Sequence, residues 1–147
     1  MDDDLRERRL AAGMTQEDVA RYAGVAAPNV AAYEAGKRPM SPAMRERLVR
    51  AMRRPSAALA EHADEVKDRL AQAHAVNVRV FGSVARGEDT PGSDVDLLFD
   101  VEEGASAFEI GAVQEDIAEL LGFHVDLVSS RAVPERKRQI LDEAVPL

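Results

Sequence analysis

Phe81-Gly82-Ser83, ten intervening residues, then Asp94-Val95-Asp96 is the stretch on which the reading of this chain turns. Before it, valines alternate with Asn77 and Arg79 over residues 76–81, the period-two pattern of a strand half buried against a sheet. Gly82-Ser83 then opens a turn into a short helix through Arg86. A glycine lets backbone approach a phosphate closely, and a serine at a helix start offers hydroxyl and amide donors. Arg86 adds a permanent positive charge. Asp94 and Asp96 lie at the start of a second apolar, β-rich run, residues 95–101. Residues two apart on a strand share a face, so both carboxylates converge while Val95 turns to the core. Adjacent carboxylates repel and resist ionising together. A divalent cation resolves that repulsion, and oxygen ligands suit magnesium or manganese. Asp126, in a third strand over 123–128, completes a site for one or two ions, spaced about 3.5–4 Å in two-metal phosphoryl-transfer centres.

Working outward, residues 57–74 carry Leu59, Ala63, Val66 and Leu70 at helical spacing and predict one long helix. Residues 86–93 form a polar loop containing Gly and Pro. Residues 105–121 predict a helix with Ile110, Val113, Ile117 and Leu120-Leu121 on one face, ended by Gly122, and 134–143 predict a last helix. Glu88-Asp89 and Glu102-Glu103 read as solvated loops, and Arg136-Lys137-Arg138 as a solvated helix face. His124 shares a face with Asp126, but a single histidine is more often packed or hydrogen-bonded than a ligand, and it is left out of the expected metal site. His62 and His74 belong to no constellation.

The first third reads as a string of short helices. Residues 5–12 are rich in helix formers and stop at Gly13. Thr15 is placed as an N-cap with Asp18 three residues on, and that helix ends at Gly24. Pro28 suits the first turn of a third helix, closed by Gly36, and Ser41-Pro42 opens a fourth over 43–52. Arg53-Arg54-Pro55-Ser56 is the expected link between domains 1–54 and 55–147.

Composition sets the outer bounds. With 147 residues, the chain has room for one ordinary domain or two small ones. There are no cysteines, which removes disulfides, thiolate zinc sites and a cysteine nucleophile. No apolar run approaches the roughly 20 residues that span a bilayer. The start, Met1-Asp2-Asp3-Asp4, is acidic where a signal peptide is basic, so a soluble, cytoplasmic protein with no membrane association is expected. Net charge is −8 but unevenly spread: 11 Lys and Arg face 8 Asp and Glu through Arg54, against 8 and 19 from Pro55 onward. A slightly basic head on a strongly acidic body predicts two modules with different partners.

The head string Thr15-Gln16-Glu17-Asp18-Val19-Ala20, then Gly24-Val25, then Tyr33-Glu34-Ala35-Gly36-Lys37-Arg38 resembles the Cro-like, xenobiotic-response-element family of helix-turn-helix domains over residues 5–52. By that resemblance residues 27–35 enter the major groove, Gln16 and Asn29 become candidates for contacts near bases or phosphates, and Lys37 and Arg38 sit where the backbone is met. The reading helix is alanine-rich and poor in the side chains that read base edges. A bundle that only dimerises or packs is therefore the competing reading.

The body, with its Gly-Ser-x10-Asp-x-Asp signature and later strand aspartate, resembles the minimal branch of the polymerase-β-like nucleotidyltransferases over residues 57–147. The resemblance implies an all-α helix-turn-helix head followed by an α/β domain with a small mixed sheet. It implies that Gly82 and Ser83 grip a triphosphate, that Asp94 and Asp96 bind magnesium or manganese, and that Asp126 joins them and activates the attacking hydroxyl. Arg86 and Ser93 fit the branch's nucleotide-binding pattern. The implied reaction moves AMP from ATP to a hydroxyl. Fusion to a Cro-like head resembles antitoxins of bacterial toxin–antitoxin pairs, which implies a HEPN-type toxin as partner, a tyrosine of that toxin as acceptor, repression of the pair's own promoter DNA, and an oligomer with itself or the toxin. Two alternatives stand beside this: a non-enzymatic DNA-binding regulator acting by complex formation, and a transferase acting on tRNA or a small molecule.

Overall fold

In the head, Thr15 and Asp18 start a helix by exchanging hydrogen bonds: the Asp18 amide donates to Thr15 Oγ1 at 3.0 Å and the Thr15 amide to Asp18 Oδ2 at 2.9 Å. The structure, a computed structural model, describes residues 3–147; Met1 and Asp2 of the acidic start lie outside the described residues. The chain divides into two compact units, Met1–Arg54 and Pro55–Leu147.

The first unit holds α1 (Asp3–Ala11), α2 (Gln16–Ala23), α3 (Ala27–Glu34) and α4 (Pro42–Ala51). Gly24 ends α2 in the left-handed conformation at φ 70°, which a glycine adopts without steric cost. Ser41 caps α4 by accepting from the Met44 amide, with Pro42 at the first helical position. Leu5, Val19, Val30 and Leu48 are fully buried at the centre of this unit. Each such side chain contributes roughly 1.5–3 kcal/mol of burial.

The second unit departs from the sequence expectation at its start. The helix expected over 57–74 is two helices, α5 (Pro55–Glu61) and α6 (Ala63–Gln72), with His62 between them at φ −115° and ψ 17°. Apolar spacing continues across the break, so periodicity alone misses it. Asp64 and Glu65 favour the restart by facing the positive end of α6. Then follow β1 (Ala75–Phe81), α7 (Gly82–Arg86), β2 (Val95–Val101), α8 (Ala107–Leu121) and β3 (Val125–Ser129). The helix expected over 134–143 is not continuous. Two 3-10 turns, Ser130–Ala132 and Glu135–Lys137, precede a short α9 (Gln139–Glu143). An unexpected β4 (Val145–Pro146) ends the order; proline lacks an amide donor, and its place at the sheet edge is where that is tolerated.

The sheet order is β3-β2-β1-β4. β1 runs antiparallel to both β2 and β4, while β2 and β3 are parallel. The mixed sheet and the helical head are the expected fold class. One face of the sheet is sealed by a core that includes Val66, Leu70, Leu97, Ile117 and Leu121. Among the described residues no helix is long and apolar enough to cross a membrane.

Candidate active site

Three strand ends meet at one edge of this sheet. Phe81, last of β1, pairs with Asp96 near the start of β2, and Asp96 pairs with Asp126 near the start of β3. The antiparallel and parallel neighbours thus place Phe81, Asp96 and Asp126 in one row. Gly82, leaving β1 at φ 73°, turns the chain directly into α7. A Cβ there would collide with the Asp96 carboxylate, so glycine is required both by conformation and by contact.

The carboxylates behave as their crowding dictates. Asp96 is half-buried and its pKa is pushed up to about 6, by burial first and then by Asp126 and Asp94, with His124 acting in the opposite direction. Farther along the same strand face, Asp100 is the opposite case. Hydrogen bonds from Ser130 and Asn77, then Arg79, hold it below the usual carboxylate range. Asn77 Nδ2 donates to Asp100 Oδ2 at 2.8 Å and the Arg79 guanidinium to Oδ1 at 2.6 Å. The sheet face therefore carries one satisfied acid and one acid short of positive charge.

His124, outside the metal site expected from sequence, stands beside these carboxylates. Its Nε2 lies 3.0 Å from Asp126 Oδ1, and Asp94, His124 and Asp126 offer ligand atoms within 4.8 Å of one another. The Val95 amide donates to the His124 carbonyl at 2.9 Å, which fixes the residue beside the β2 start. Its even spacing from Asp126 was the available signal; the arrival of β2 alongside was not readable.

The other expected residues are placed unevenly. Ser83 lies in the first turn of α7, next to Gly82. Arg86, at the far end of α7, donates to Glu88 at 3.0 Å and to Glu143 of α9 at 2.5 Å, and both partners raise its pKa. Ser93 Oγ accepts from the Thr90 amide at 2.9 Å and so closes the loop just ahead of Asp94. Asp89, expected as part of a solvated loop, is instead 1% exposed. Its Oδ2 accepts from the Ser56 amide at 2.8 Å, which caps α5 and ties the loop to it.

The stretch that carries these strands and carboxylates is matched by known proteins. The nucleotidyltransferase-domain family model covers residues 59–147. This chain belongs to the nucleotidyltransferase family. The helix-turn-helix domain model covers residues 3–63. Thermococcus cleftensis protein adenylyltransferase MntA is 40% identical over 70 residues, 48% of this chain and 68% of its own. A candidate protein adenylyltransferase of Methanocaldococcus jannaschii is 37% identical over 67 residues, 45% of this chain and 72% of its own. The solved structure of a candidate minimal nucleotidyltransferase superposes with TM-score 0.57 at 42% identity, covering 63% of this chain and 95% of that one. A crystal structure of a toxin–antitoxin with AMP-PNP shares the fold at TM-score 0.50 and 19% identity, over 56% of this chain and 69% of that one. The nucleotidyltransferase body and helix-turn-helix head read from sequence are both borne out.

In the helix-turn-helix head the four candidate DNA contacts fall into two sets. Lys37 and Arg38 are exposed in the turn after α3, and Arg38 donates to Asn29 Oδ1 at 2.8 Å while stacking over Tyr33 at 5.7 Å. Gln16 is turned inward: its amide donates at 2.6 Å to Glu34, whose other oxygen takes Arg9 at 2.9 Å. Glu34 and Arg9 are both buried.

Proposed function

We propose that this nucleotidyltransferase is the antitoxin of a toxin–antitoxin pair, moving AMP from ATP to a tyrosine hydroxyl of a HEPN-type toxin, with a head that represses the pair's own promoter. The observation that carries this reading is the row of Asp96 and Asp126 beside the Gly82 turn, on a chain that also bears a helix-turn-helix. The relatives named protein adenylyltransferases support a protein acceptor and ATP as donor.

The donor set fits a hard divalent cation: carboxylate oxygens converge, and Asp96 sits in a surplus of negative charge that an ion relieves. Asp94, Asp96 and Asp126 are the residues that would hold magnesium or manganese. Bound there, such an ion supplies charge neutralisation at the phosphates and a lower pKa for the attacking hydroxyl. The chain's own groups do the rest. The Gly82-Ser83 turn brings backbone and hydroxyl donors against the triphosphate, and Gly82 lets it come close. Asp126 takes the hydroxyl proton as the acceptor oxygen bonds to the α-phosphorus and pyrophosphate leaves. His124, hydrogen-bonded to Asp126, orients that carboxylate. Arg86 meets the phosphates by exchanging Glu88 and Glu143 for them.

Mixing the full chain with labelled ATP, magnesium and the product of the neighbouring gene tests this by mass spectrometry. The expected result is an AMP-sized adduct on the neighbour, abolished in the Asp94→Asn, Asp96→Asn double variant. A stable complex with no adduct would replace the enzymatic reading with neutralisation by binding.

A further inference from the structure

The N-terminal half of α8 carries a feature the transfer chemistry does not use. Phe108 is 87% exposed, the most exposed of the large hydrophobic residues among those described. Beside it, a groove of about 220 Å³ runs between the end of α6 and α8, lined by Gln72, Ala73, Phe108, Glu109, Ala112 and Val113. An aromatic ring held in water next to small side chains loses the burial it would gain against a partner. Gly111 and Ala112, both exposed, keep the neighbouring helix surface low enough for close approach.

Charge says what kind of partner. Glu102, Glu103, Glu109, Glu115, Asp116 and Glu119 are all exposed, and no Lys or Arg lies between residues 102 and 119. Arg69, a cation that reaches this surface, is shared between Glu65 at 2.8 Å and the Asp116 carbonyl at 3.3 Å. Two copies meeting through α8 would bring like charges together. A groove between two helices that holds Glu109 and an aromatic anchor, on a segment whose exposed charges are all acidic, is complementary to an amphipathic helix with a basic rim.

Topology sets the distance from the chemistry. α8 connects the end of β2 to the start of β3, whereas the carboxylates cluster where β2 and β3 begin. Phe108 is therefore at the opposite end of α8 from Asp126, about 20 Å away at 1.5 Å of rise per residue. We infer that the α6–α8 groove with Phe108 is a docking exosite for a basic amphipathic helix of the partner protein, separate from the site of AMP transfer. This rests on the reading of the chain as one half of a two-protein pair.

The test measures binding of the neighbouring gene's product to the full chain by calorimetry, alongside adduct formation by mass spectrometry. Phe108→Ser and, separately, Ala112→Arg are expected to weaken the complex by about 30-fold or more, the scale of a lost aromatic anchor. Both substitutions are at exposed positions, so an unchanged circular dichroism spectrum and melting temperature accompany the loss. The Asp94→Asn, Asp96→Asn variant keeps wild-type binding, and wild-type binding weakens as salt rises. Transfer to the neighbour with binding untouched by either substitution overturns the exosite and leaves the enzymatic reading standing. Binding lost in both variants without any adduct in the wild type supports the exosite and overturns the enzymatic reading. Concentration-dependent self-association abolished by Phe108→Ser, with no binding of the neighbour, overturns the assignment of the occupant.

Discussion

Asp96 is the residue whose environment is least comfortable without a cation. Its folded pKa of about 6 lies above the ordinary 3.8, so the folded domain binds an extra proton between those values. Stability from that proton is fully present below pH 3.8 and is lost as pH rises through 6. The metal-free melting temperature of the wild type, compared with that of Asp96→Asn, is accordingly expected to fall from pH 4 toward pH 6.5, and the difference to flatten above. A difference that does not change with pH would mean that the carboxylate titrates alike in the folded and unfolded chain. Sequence placed Asp94, Asp96 and Asp126 by period-two alternation and a signature. It left out His124, because a lone histidine acquires meaning only from the strand that arrives beside it.

Among the elements, the loop between α7 and β2 shows how much a single buried acid can organise. Asp89 reads in sequence as a solvated turn residue, since it sits among Gly87, Glu88, Thr90, Pro91 and Gly92. In the fold it accepts the Ser56 amide and anchors the segment leading to Asp94. Replacing it by alanine is expected to cost roughly 1–2 kcal/mol, the scale of a lost helix cap, read as a lower urea midpoint. A midpoint unchanged from wild type would show the contact to be incidental. The helix pair α5 and α6 was legible as helical but not as two, because apolar spacing is continuous through His62 while the backbone is not. The last segment is helical in two pieces, Glu135–Lys137 and α9, and β4 was not legible because the edge that draws Val145–Pro146 onto β1 is tertiary.

The two units carry charges of opposite sign, and different ligands are expected for them. DNA binding by the basic head is expected to weaken steeply with salt, with a log–log slope near −0.9 per phosphate contacted. Lys37→Ala, at an exposed position after α3, is expected to reduce that slope by about one, measured by fluorescence anisotropy on promoter DNA. Binding unaffected by salt would instead favour a bundle that packs or dimerises. Gln16 is the weaker candidate at this scale, since its amide completes the buried Arg9–Glu34 pair and is not turned outward.

Sequence by itself determined the strand runs, the caps and the Gly-Ser to Asp-x-Asp signature: period two for β1, an apolar β-rich run for β2, the Thr15–Asp18 exchange, and the Gly82-Ser83 to Asp94-Val95-Asp96 spacing. These are local, because a strand's alternation and a helix's cap are fixed by residues within one turn or one pleat of each other. Tertiary structure alone decided which acids meet. Asp126 stands thirty residues beyond Asp96, and only the parallel pairing of β2 with β3 brings it alongside. The same pairing adds the Asp126 charge to the burial that raises the Asp96 pKa, and sets His124 beside these acids. Packing likewise decided that Asp89 is buried and Phe108 is not, because burial depends on which distant elements arrive, a fact that no window of neighbouring residues contains.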